Sequence, residues 1–178
     1  MFKKAMRTLY NISERVVNYA MYIAGFITLL MALVTTFGVI MRYAFKNPEH
    51  FSYEIGIFCL ISSVALALPY IQRQGRNLRV DFVSNYFPPK VQAALLNIIV
   101  PLIALAYLVP LVWKSWGDAW YSLGISERTY SAWAPPVGPM KLMVPIGAGL
   151  LCIVLISQLI HGLVALKENS SEEKVAPS

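Results

Sequence analysis

Charge is what this sequence has least of. Only 13% of its 178 residues are Asp, Glu, Lys or Arg, against about 25% in an ordinary soluble domain. Histidine is nearly absent: His50 and His161 are the only two. They fall near opposite ends of apolar runs, so a single haem iron cannot take both. Cysteine is as scarce, and Cys59 and Cys152 both lie inside apolar stretches. No Cys-x-x-Cys spacing is present for zinc or thiol redox chemistry. The two thiols sit at unequal distances from the charged residues that open their runs, which disfavours a disulfide. There is no His-Glu-x-x-His, Gly-x-Ser-x-Gly or phosphate-loop pattern, so protease, hydrolase and nucleotidase chemistry lack their residues. No cofactor or metal is expected, and the chain does not read as an enzyme.

Apolar length is what the sequence has in abundance. Hydrophobic residues make up 57% of the chain, and the mean hydropathy is +0.58. Four stretches carry no charge: residues 16–41, 55–72, 91–113 and 142–166. A spanning helix needs about 20 apolar residues, with a range of about 17–25. The chain therefore reads as an all-α integral membrane protein. It forms one domain over residues 1–166, with spans at about 16–41, 52–72, 91–113 and 140–166. Residues 167–178 read as a polar, disordered tail.

Ahead of the first run, Phe2, Met6, Leu9, Ile12 and Val16 recur every three or four residues. Lys3, Lys4, Arg7 and Arg15 fall between them. That spacing predicts an amphipathic helix lying on the membrane surface. The run that follows is too long for a signal peptide and has no Ala-x-Ala site, so the segment reads as retained.

The net charge of +6 follows the positive-inside rule better than any nucleic-acid motif, and nucleic acid is not an expected partner. With the N-terminus inside, residues 1–15, 73–90 and the tail together hold ten of the 15 Lys and Arg. Arg42, Lys46, Lys114, Arg128 and Lys141 lie outside. Both termini are thus expected in the cytoplasm.

Within the runs, Pro69, Pro101, Pro110 and Pro145 predict irregular or kinked helices, tolerated when neighbours re-satisfy the freed carbonyls. Ser62, Ser63, Ala65 and Ala67, with Gly147, Ala148 and Gly149, offer small surfaces for close packing. Trp113, Trp116, Trp120 and Tyr121 recur at helical spacing. They predict a helical extension of span three that emerges or bends along the outer surface, its indoles at headgroup level. Trp133, Pro135, Pro136, Gly138 and Pro139 then form a rigid turn. Ionisable groups are costly inside a membrane and mark function there, yet the spans hold almost none. Glu54, the one acid near a span, is expected to pair with Arg42 or Lys46. The alternative makes it the coupling carboxylate of a self-sufficient homo-oligomeric carrier.

The densest basic patch is Arg73-Gln74-Gly75-Arg76-Asn77-Leu78-Arg79-Val80-Asp81, expected to sit at anionic lipid headgroups. Here a resemblance enters. Arg42-Tyr43-x-Phe45 with Pro48, Ser52-Tyr53-Glu54, Ala65-x-Ala67, and Arg73-x-Gly75-Arg76-x-x-Arg79-Val80-Asp81 followed by Pro88 and Lys90 form one set. Ser126-Glu127, Ser131, Pro135, Lys141, Pro145 and Gly147 complete it. Together they resemble the small membrane subunit (Q subunit) of tripartite ATP-independent periplasmic (TRAP) transporters over roughly residues 30–160. The chain departs at Asn77, where the family often has His, and near Ser63 and Val64, where it often has Gly.

The resemblance implies an accessory subunit of a sodium-coupled symporter for organic acids, carboxylates or sialic-acid-like solutes, in a bacterial inner membrane. Its implied partners are the large TRAP membrane subunit (M subunit), a periplasmic substrate-binding protein (P subunit) and lipid. Arg42, Tyr43, Glu54, Arg73, Arg76, Arg79 and Asp81 are the candidates for subunit contact or membrane anchoring. Trp116, Trp120, Ser126 and Glu127 are the candidates for contact with the periplasmic protein.

Overall fold

A lipid-facing backbone must satisfy its own hydrogen bonds, and a helix does so within one segment. The four apolar runs obey this. The computed structural model describes residues 2–74 and 98–172, and side chains from residues 13–74, 98–160 and 162–163. Its elements are α1 (Phe2–Tyr43), α2 (Ser52–Arg73), α3 (Val100–Gly124) and α4 (Gly138–Glu172). All four are long and apolar enough to cross a membrane.

Several boundaries differ from the hydropathy runs. α1 is one unbroken helix from Phe2, so the segment before the first span continues its axis. α3 runs to Gly124, past Lys114 and Asp118, so the expected helical extension of span three is present, and its Leu123 and Ser122 lie against Gly138 and Lys141 of α4. Pro101 lies in the first turn of α3, directly after the π-helical Ile98 and Ile99, so the helix around it is irregular. Pro69, Pro110 and Pro145 are interior. α4 continues to Glu172, because Ala165-Leu166-Lys167-Glu168 are all strong helix formers. Residues 173–178 lie outside the described residues.

The face that charge counting assigns to the outside is called outer below. α1 ends there when Lys46 takes a left-handed conformation, φ 52°, and the Asn47 N–H returns to the Met41 carbonyl at 3.1 Å, in the manner of a helix C-terminal cap. Glu49 then caps α2. Its Oε2 accepts the N–H groups of Phe51 at 3.0 Å and Ser52 at 2.8 Å, placing a carboxylate at the positive end of the helix dipole. At the other outer turn, Ser126 (φ 50°) and Ala134 (φ 47°) bend the chain. The Thr129 N–H to Pro135 carbonyl and Val137 N–H to Glu127 carbonyl bonds hold it as a narrow loop. Rings join the two turns: Phe37 stacks on Phe51 at 6.2 Å, and Phe51 meets Trp133 edge-on at 6.3 Å.

Among the described residues the four helices do not close into a bundle. α1 packs on α2, α2 on α4, and α4 on α3, with only slight contact between α1 and α4. They form a row in the order α1, α2, α4, α3. In lipid the hydrophobic effect does not drive helices together, so small residues and close backbone contact decide the pairing. Val17, Ala20 and Ala24 give α1 its buried edge. α2 is buried on two sides. Ser52, Gly56, Cys59 and Ser63 recur at helical spacing toward α1, where Gly38 lies against Ser52 and Thr35 against Gly56. Glu54, Ser62 and Pro69 share the other side with Ala65. There Gly147 of α4 comes so near the Ala65 carbonyl that any β-carbon would overlap it. The expected small-residue packing thus centres on Ala65 and Gly147, while Gly149 meets nothing within 4 Å. Both cysteines are free.

Candidate functional site

Among the described residues, side-chain polar contacts between helices are few. At the inner end, the Arg73 guanidinium forms an ion pair with Glu14 of α1 and reaches Asn18 Oδ1 at 3.3 Å. Arg73 was expected at a headgroup or a partner. Its side chain is only 21% exposed, because the α1 helix lies within its reach. One residue earlier, Gln72 Nε2 donates to Gln158 Oε1 at 3.0 Å, and Gln158 Nε2 donates back to the Gln72 carbonyl at 3.1 Å. Arg73 therefore joins α2 to α1 while Gln72 joins it to α4.

At the outer end, Lys141 near the start of α4 donates to Glu127 Oε2 at 2.7 Å and to Ser122 Oγ at 2.8 Å. Ser122 is buried in α3 and donates to the Asp118 carbonyl at 2.9 Å. The Lys141 ammonium, with Ser122, holds the Glu127 carboxyl below the ordinary carboxylate value. These residues line an open cleft of about 380 Å³ with Ser115, Asp118, Tyr121, Ile125 and Val144. The Ser52 side chain and backbone N–H, then the Phe51 N–H and the charge of Arg42, similarly lower the Glu49 carboxyl.

Glu54 does not pair with Arg42 or Lys46. It is 7% exposed, and its Oε2 has no hydrogen-bond partner among the described residues. Helical phase turns it toward the α4 side, away from the α1 hairpin that carries both cations, and Glu49 occupies the position expected of it. Arg42 and Tyr43 are exposed, as are Trp116, Trp120 and Ser126. The expected periplasmic-contact residues thus divide: Glu127 is tied down by Lys141, and the two indoles are free on the surface of α3. Arg76, Arg79 and Asp81 lie outside the described residues.

Sequence reasoning missed Glu14, Asn18, Glu49, Gln72 and Gln158. Gln158 carried a readable signal as the only amide in the fourth apolar run. Glu49, three residues before Ser52, had the position of a helix-capping acid.

Among the described residues no group of His, Cys, Asp and Glu could hold a metal ion. Fold and site together define a multi-pass membrane protein whose polar groups serve to join helices. The chain belongs to the family of tripartite ATP-independent periplasmic transporters, DctQ component, whose match covers residues 31–165. It is the small permease subunit of a transporter and not an enzyme. No curated protein matches it in a sequence search.

Proposed function

We propose that this chain is a scaffold: it packs against and supports the large membrane subunit (M subunit) of a sodium-coupled TRAP symporter that takes up organic acids. It has no transport site of its own. The observation that supports this reading is the open row. Among the described residues α1 packs mainly on α2 and α3 mainly on α4, and their bare faces carry Tyr22, Phe26 and Leu33, or Leu102, Ile103 and Tyr107. A carrier must line a path with polar groups, and among the described residues the interhelical polar contacts are few: Arg73 with Glu14 and Asn18, Gln72 with Gln158, and Lys141 with Ser122 and Glu127. The reading places the protein in a bacterial inner membrane with both termini cytoplasmic. The periplasmic binding protein (P subunit) would meet the outer turn near Trp116, Trp120, Ser126 and Glu127. Arg42, Tyr43, Glu54, Arg73, Arg76, Arg79 and Asp81 are the candidates for contact with the large subunit or lipid.

A second reading draws on Glu54, buried with one oxygen unpartnered among the described residues. It makes the chain a homo-oligomeric carrier with Glu54 as coupling group. One experiment separates the two. The chain is tagged in its native cell, extracted in mild detergent and analysed for co-purifying protein. A larger polytopic subunit recovered in equal amount supports the scaffold. A homo-oligomer that transports alone in liposomes, and stops when Glu54→Gln is introduced, supports the carrier.

A further inference from the structure

The contacts across each seam fix which residues lie level. Gly38 meets Ser52 and Thr35 meets Gly56 between α1 and α2; between α2 and α4, Gly147 meets Ala65 and Gln158 bonds Gln72, and the mean of these two sets the register. Between α4 and α3, Gly138 meets Leu123 and Lys141 bonds Ser122. Were the row upright in a flat bilayer, the centres of the four uncharged runs would also lie level. They do not. The run centres are Leu29 in α1, Val64 in α2, Val154 in α4 and Leu102 in α3.

At the 1.5 Å rise of a helix, the α2 centre lies about 2 Å further inward than that of α1. The α4 centre lies about 9 Å inward of α2, and the α3 centre about 9 Å inward of α4. Every step has the same sign, and together they reach about 20 Å. The charged residues that close the uncharged runs on the outer side step the same way: Arg42 on α1, Glu54 on α2, Lys141 on α4, Lys114 on α3. Across three helix spacings of about 8–10 Å, this is a slope of about 35–40°. The 26-residue run of α1, about 39 Å long, is long enough to cross a core about 30 Å thick at a tilt.

We propose that the row leans within its own plane, so that its contact with the outer lipid headgroups runs diagonally from Arg42 on α1 to Trp113 and Lys114 on α3. Lys114 and Trp113 then meet headgroups, where lysine and indole are favoured. The last turns of α3, from Asp118 to Gly124, stand in the outer aqueous phase with the Ser122–Glu127–Lys141 cleft and the loop bearing Tyr130, which is fully exposed. An upright row would instead hold Lys114 at mid-depth beside Phe26, against the cost of a charge in hydrocarbon. The inference rests on the membrane-spanning fold and not on the proposed scaffold role.

Phe26 and Lys114 are level in the packing register, so their depths decide the matter. Single cysteines replace Phe26, Leu102, Lys114 or Trp120 in the full chain carrying Cys59→Ala and Cys152→Ala, and are labelled with bimane in phosphatidylcholine bilayers. Quenching by nitroxide lipids should place Phe26 and Leu102 deep and Lys114 about 10 Å or more shallower, while aqueous iodide quenches the label at Trp120. A depth difference between Phe26 and Lys114 below about 5 Å overturns the lean. Native Trp113, read in a chain with Trp116, Trp120 and Trp133 replaced by Phe, supplies a second reading. Lipids brominated near the headgroup should quench it more than deeply brominated ones, and the reverse order overturns the proposal.

Discussion

Gln72 and Gln158 clasp each other: each side-chain amide donates, one to a side chain and one to a backbone carbonyl. They join two helices that run in the same direction, 86 residues apart in sequence. Interhelical hydrogen bonds in membranes are worth about 0.6 kcal/mol on average, with a maximum of about 1.7. Gln158→Leu should therefore destabilise by about 1 kcal/mol. Unfolding in mixed micelles checks this. A cycle with Gln72→Leu should show coupling, and strict additivity would mean that the clasp contributes nothing.

Gly147 is the closest approach in the seam between α2 and α4. Gly147→Leu should force the helices apart and cost about 1–3 kcal/mol, as overpacking does. Gly149→Leu, two residues on and facing open space, should leave the fold intact. Circular dichroism melts of both variants, side by side, make the comparison. Equal melting would place the seam elsewhere.

The Arg73–Glu14 pair fixes the inner end of α2 to α1. Arg73→Glu and Glu14→Arg should each lower thermal stability, and the double swap should restore part of the loss. If Arg73 acts at headgroups instead, the double swap restores nothing, and the loss tracks the anionic lipid content of the bilayer.

Glu127 titrates below the ordinary carboxylate value of 4.5 because Lys141 and Ser122 hold its charged form. Its folded state binds its proton less readily than the unfolded chain does, so the stabilisation is present above the ordinary value and fades as pH falls through the folded one. Wild type should exceed Glu127→Gln in outer-loop protection by a constant margin near neutral pH. That margin should close only in acid, below the ordinary value. Hydrogen exchange of the Val137 amide, which donates to the Glu127 carbonyl, reads this out. A margin that closes between pH 6 and 8 would point to another group.

How much of this was legible depends on which physics each feature uses. The four spans follow from one-dimensional apolar length, and the absence of charge inside them was plain. Pairing was not. Hydropathy gives no register, so it could not tell that Lys114 lies level with Phe26, or that α3 stays on α4 as far as Leu123. Glu54 shows the same gap: proximity in sequence pointed to Arg42, whereas helical phase turns it toward α4. Arg73 looked like a surface charge because Glu14 lies 59 residues away, and only docking brings them together. Gly147 was marked as small, but its counterpart Ala65 is set by the seam and not by composition.

The row has one more consequence, for how the chain is put together. α1 with α2, and α3 with α4, are each consecutive helical hairpins that bury a face of their own, and the α2–α4 seam is the main contact joining them. Each hairpin can enter the bilayer and settle as a unit, with the seam closing afterwards. A gene cut between residues 75 and 97 should therefore give two fragments that find each other in the membrane. A lesion at Gly147 should block that reunion while sparing each fragment.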